Sequence, residues 1–77
     1  MHWSKNMAVM NNDRSKIIDE FETMKSFELS AHNLYTRIAD DPRVSERKVK
    51  DAFRKLAEDE RRHADLVQEI IDLIEKA

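Results

Sequence analysis

A 77-residue chain without a single glycine, and with one proline at position 42, has few ways to reverse direction. Glycine tolerates positive φ at no steric cost, so tight β-hairpins, bulges and phosphate-cradling loops are nearly excluded in its absence. What remains is helix with one break. From Asp13 to Asp40, and again beyond Pro42, apolar residues recur at helical spacing. Asp41 stands before the proline and is biased out of the α region. The pattern predicts helix 1 over about 13–40, with Asn12 or Asp13 as N-cap, and helix 2 over about 46–76, with Ser45 as N-cap. The connection Asp41-Pro42-Arg43-Val44 is short enough to force the helices antiparallel. Residues 1–12 hold no sustained period and read as a mobile leader, in which Trp3 is a packing anchor and His2 has no role. The fold class is all-α, a helical hairpin over residues 13–77.

Composition narrows the chemistry. Cysteine is absent, which removes disulfide scaffolds, thiolate metal sites and thiol nucleophiles. A net charge of −2 is too small to imply nucleic acid or a membrane surface as partner. No apolar run is long enough for a transmembrane span or a signal peptide, so a cytoplasmic protein is expected. The charges are sorted along helix 2. Arg43 to Lys55 holds six Lys/Arg against two Asp/Glu, and Leu56 to Ala77 three against seven. At this size one core is marginal, and self-association is expected.

The 4-3 spacing of a helix pair selects Ile17, Phe21, Met24, Glu28, Ala31, Tyr35 and Ile38 in helix 1. In helix 2 it selects Val49, Phe53, Leu56, Glu60, His63, Val67, Ile70 and Ile74. Only Glu28, Glu60 and His63 break this apolar stripe. A charge on a buried seam costs several kcal/mol unless it is paired or ligates a metal. Glu60 and His63 are i and i+3, one turn apart on one face. Glu28 lies as far before the connection as Glu60 lies after it, so an antiparallel hairpin brings all three to one depth. Two carboxylates and an imidazole suit Fe(II), Mn(II) or Zn(II); the alternative is a polar cluster that sets helix register. Two hairpins about a two-fold axis would supply four Glu and two His, the ligand set of di-iron and di-manganese carboxylate bundles. Phe27, Leu34, Ala52, Leu66, Ile71 and Leu73 form flanking apolar rows that one hairpin cannot also bury.

Two segments carry a family resemblance. Phe27-Glu28-Leu29-Ser30-Ala31-His32-Asn33-Leu34-Tyr35 resembles the first ligand helix of rubrerythrin-type proteins, and Leu56-Ala57-Glu58-Asp59-Glu60-Arg61-Arg62-His63-Ala64 resembles their E-x-x-H-A helix. The chain thus resembles the ferritin-like superfamily over about residues 15–76. With one helix pair instead of two, it is most similar to the encapsulated ferritins. That resemblance implies a ferritin-like four-helix bundle completed by dimerisation, with Glu28, Glu60 and His63 as iron ligands of a di-iron ferroxidase centre shared between subunits. It further implies a dimer or ring of dimers inside an encapsulin shell. Manganese is the alternative metal. Ile74-Glu75-Lys76-Ala77 does not resemble the targeting tail expected of encapsulin cargo, and these 77 residues hold no cysteine for an iron-binding domain.

Tyr35 is read as a hydrogen-bond partner of a metal-bound carboxylate, as a redox residue near the centre, or as a core aromatic, and His32, i+4 from Glu28, as a partner of a metal ligand, as an outer metal site, or as a partly exposed side chain. Glu58 and Asp59 are surface residues. The leading expectation is a ferroxidase for iron storage or detoxification. The others are a non-redox, metal-stabilised dimerisation module and a plain coiled-coil adaptor.

Overall fold

The computed structural model describes residues 11–77, with side chains from Asp13 onward. The leader, with His2 and Trp3, lies outside the described residues apart from Asn11 and Asn12. Helix α1 spans Asn11–Asp40 and α2 spans Arg47–Lys76, and the two pack side by side as an antiparallel hairpin. Asn12 and Asp13 lie inside α1 and do not cap it.

The break is built by Asp41 and Pro42. The Asp41 amide closes the end of α1 on the Ile38 carbonyl at 3.2 Å, and the Val44 amide then reaches the Asp41 carbonyl at 2.9 Å. Asp at the first position and Pro at the second is a turn signature that needs no positive φ. None occurs among the described residues. The Asp41 carboxylate accepts from both the backbone amide and the guanidinium of Arg43, at 2.9 and 2.6 Å. Those bonds hold its pKa below the ordinary carboxylate range. The Lys50 ammonium donates to the Ala39 and Asp41 carbonyls, placing a cation at the negative end of the α1 dipole. The N-cap of α2 is Glu46, one residue beyond the expected Ser45; its carboxylate accepts from the Lys48 amide at 3.0 Å. An anion there also complements the helix dipole, which a serine hydroxyl does less well.

The fully buried seam is narrow: Ala39 from α1, and Ala57, Ala64, Val67 and Ile71 from α2. Ala57, Ala64 and Ile71 are spaced by seven, the recurrence of one contact row. Small residues there let the backbones approach closely. This corrects the single stripe read from spacing. Met24, Val49, Leu56 and Ile70 were expected on the seam but remain 40–44% exposed. The apolar stripe is wider than one helix–helix contact can cover, because each helix shields only one arc of its neighbour. One row faces the hairpin partner, and the adjacent row is left on an open flank. Phe27, Leu34, Leu66 and Leu73, from the flanking rows, are also exposed, whereas Ile71 of those rows is buried in the seam, contrary to expectation. The basic start of α2 is offset by Arg47–Asp51, Arg54–Asp40 and Arg54–Asp51 ion pairs, which are exposed and contribute little each.

Burial predicts where substitutions are felt. Ile71 is 2% exposed, and Ile71→Ala should lower the unfolding free energy by about 3 kcal/mol through lost transfer energy and a cavity. At Leu73, 67% exposed, the same change should cost the single hairpin less than about 0.5 kcal/mol. Urea unfolding of the two variants at low protein concentration measures the difference.

Candidate metal centre

Glu28 projects from the middle of α1, and Glu60 and His63 from facing turns of α2. The hairpin brings one ligand atom of each within 4.8 Å of the other two. It is the one such group of three among the described residues. His63 Nδ1 stands 3.5 Å from Glu28 Oε2 and 3.7 Å from Glu60 Oε1. Depth explains the convergence: Tyr35 reaches Phe53, His32 reaches Ala57 and Glu28 reaches Glu60, one continuous antiparallel register.

The cluster lies at the edge of the seam. The two carboxylate side chains are each 23% exposed and the imidazole 48%. Ala57 and Ala64 close the covered side, while His63 shares the open flank with Leu56 and Ile70. Spacing had set His63 inward; in the hairpin it is half exposed, because the 49-56-63-70 row is the uncovered one. With both carboxylates ionised, Glu28 Oε2 is covered by protein and has no hydrogen-bond partner, His63 Nδ1 standing 3.5 Å away. A buried acceptor left this way costs about 1–3 kcal/mol, and more when it is charged. Two anions at this distance also disfavour each other. Hydrogen bonding with the Glu28 carboxylate, then desolvation and the Glu28 charge, push the Glu60 pKa above its ordinary value, against an opposing pull from His63.

That shift has a pH signature. A carboxyl group with a raised folded-state pKa binds its proton more tightly in the folded chain. Its contribution to stability is therefore present below the unfolded pKa and is lost as pH rises through the folded one. The metal-free hairpin should melt lower as pH is raised from about the ordinary Glu value of 4.5 toward neutrality. Glu60→Gln should flatten that slope, as thermal melts across the pH series would show. A divalent cation competes with the same proton, so metal affinity should rise over the same interval.

A protonated His63 neutralises one carboxylate at most, which leaves the pair with one excess negative charge. A divalent cation held by these residues would remove that excess and give Glu28 Oε2 a partner. The donor set fits a first-row divalent metal. Three protein ligands would not complete such a shell. Of the other residues singled out by spacing, Tyr35 packs its ring against Phe53 at a centroid distance of 6.0 Å. His32 stands outside the group, its Nδ1 2.8 Å from the Ala57 carbonyl. Asp59 pairs with Arg62, and Glu58 is exposed. Two contacts beside the centre had no signal in the periodicity: His32 to Ala57, and Lys25 to Gln68, which in turn donates to Asp72.

The family model for rubrerythrin matches residues 21–77, a span that holds all three residues and most of both helices. No curated protein and no solved structure gives a significant match. No helix among the described residues is long and apolar enough to cross a membrane.

Proposed function

The chain belongs to the rubrerythrin family, and from that premise we propose that it is a ferroxidase whose di-iron site is shared by two copies of the hairpin. The observation that carries this reading is the position of the carboxylate–imidazole group. Glu28, Glu60 and His63 converge around an orphaned carboxylate oxygen, beside an apolar flank that one chain leaves uncovered. A second hairpin on that flank would bury Met24, Val49, Leu56 and Ile70 and bring the total to four carboxylates and two imidazoles.

Fe(II) is the substrate. Each ion gives up one electron, so a pair supplies the two electrons that reduce one dioxygen, with two protons, to hydrogen peroxide. Glu28 and Glu60 provide hard oxygen donors, which favour the oxidised ion over Fe(II). Ala57 and Ala64, with the apolar flank once a second hairpin covers it, would limit water around them, which strengthens the charge interactions. His63 would supply a neutral imidazole nitrogen. A 9.1 kDa hairpin encloses no space for mineral, so oxidised iron is passed to a larger container. An encapsulin shell in the cytoplasm is the container that the resemblance to encapsulated ferritins suggests. Manganese is the alternative occupant.

The test is Fe(II)-dependent oxygen uptake by the purified chain, with iron loaded anaerobically first. Tight binding followed by uptake in proportion to bound iron is expected. The exposed apolar flank also favours a second reading, a metal-stabilised dimerisation module without redox turnover. Bound iron with no oxygen uptake would establish that reading in place of the first.

A further inference from the structure

Around the metal centre the buried contact between the helices is alanine, which sets register weakly; the larger buried side chains, Val67 and Ile71, lie further along α2. Ala39, Ala57 and Ala64 present smooth surfaces that could slide along the helix axes without opening large voids. A metal centre cannot tolerate that sliding. A slip of one residue displaces Glu28 relative to Glu60 and His63 by about 1.5 Å, whereas metal–ligand distances hold to about 0.2 Å. The short connection sets the stagger to about a residue, and a polar tie beside the centre holds it more closely.

We infer that His32 is that element: a positioning residue that holds Glu28 level with Glu60 and His63 by donating Nδ1–H to the Ala57 carbonyl. The contact is 2.8 Å and joins residues 25 positions apart in sequence. A carbonyl oxygen only accepts, so Nδ1 carries the hydrogen. The tie sits one turn after Glu28 on α1 and one turn before Glu60 on α2, close to both carboxylates. The other contacts across the hairpin are less suited to the task. Lys50 and Arg54 act at the connection, and Lys25 reaches Gln68, two turns past Glu60, on a long flexible stem. The Ala57 carbonyl already serves its own helix, so the bond to His32 is additional and specific to the packed pair. The inference rests on the metal-centre reading and deepens it, since His32 would act on the metal only through Glu28 and Glu60.

Co(II) is the probe, because its visible absorption reports ligand geometry as well as binding. His32→Phe keeps a ring but removes the donor. His32→Asn places an amide N–H the same number of bonds from the backbone as Nδ1. We expect the Phe variant to stay helical, to bind Co(II) about tenfold or more weakly, in line with lost outer-shell hydrogen bonds, and to show an altered spectrum. The Asn variant should restore both affinity and spectrum. A Phe variant with the affinity and spectrum of the unmodified chain overturns the inference, and so does an Asn variant no better than Phe. Should the Phe variant fail to fold, His32→Gln, whose amide extends one bond too far, takes its place with the same expected losses. In the unmodified, metal-free chain, nitrogen NMR should find His32 protonated at Nδ1 near neutral pH, and a bare Nδ1 also overturns the inference. If the unmodified chain binds no Co(II) while Nδ1 is protonated, the metal centre has failed and the positioning role falls with it.

Discussion

Glu60→Ala should abolish Fe(II)-dependent oxygen uptake and lower metal affinity at least about a hundredfold, beyond the usual cost of losing an outer-shell hydrogen bond. The loss arises because the centre has only two carboxylates per chain. The folded hairpin should not suffer. Glu60 contributes no buried apolar contact, its pKa is raised by the neighbouring Glu28, and alanine is the better helix former. The metal-free variant is therefore expected to melt no lower than the unmodified chain at neutral pH. This pairing separates a ligand from a structural residue: in a polar cluster that merely fixed register, removal of one member would destabilise the apo chain. Calorimetric melts of the apo proteins, beside oxygen-electrode traces, measure both sides. A variant that oxidises iron at the unmodified rate would remove Glu60 from the site.

Metal should also control assembly. Native mass spectrometry at neutral pH is expected to find dimers, or multiples of dimers, carrying two irons per two chains once Fe(II) is added. Without metal, a second copy docked on the open flank would bring four carboxylates together with too little positive charge to offset them. Binding that requires the dimer stabilises the dimer by mass action. Leu56 tests the surface itself. It is half exposed in the single hairpin and ligates nothing, so Leu56→Lys leaves the fold intact but puts a charge where the second copy must seat. Loss of a central contact costs about 2 kcal/mol or more, roughly thirtyfold in the dimer Kd. Metal affinity should fall with it, although no ligand has changed. A metal-indifferent dimer, or tight two-iron binding by monomers, would refute the shared centre.

How much of this was legible beforehand follows from which interactions are local. The two helices and the break at Pro42 come from residue types acting on their own backbone, and spacing alone recovered them. The pairing of Glu28 with Glu60 was also recoverable, because a short connection makes distance from the turn a direct measure of depth. The N-cap was misplaced by one residue, since Ser45 and Glu46 both have capping side chains and only the path of the chain selects between them. The seam was read as one stripe because period by itself does not reveal which of two adjacent apolar rows faces the partner. Met24, Val49, Leu56 and Ile70 share spacing with the seam, yet they lie outside the arc that a single neighbouring helix can shield.

The sequence by itself thus determined a glycine-free helical hairpin, the level at which its three unusual residues meet, and the class of metal they suit. All of these depend on helix geometry and chain connectivity, which are the same in any context. The tertiary structure decided what depends on azimuth and close approach. It placed alanines at the contact and His63 on the open side. It left Glu28 Oε2 without a partner, and it joined His32 to a carbonyl 25 residues away. A side chain's neighbours across a helix pair are set by how closely two backbones pack and how each is rotated about its axis. Those two quantities belong to the pair of helices and are written in neither one alone.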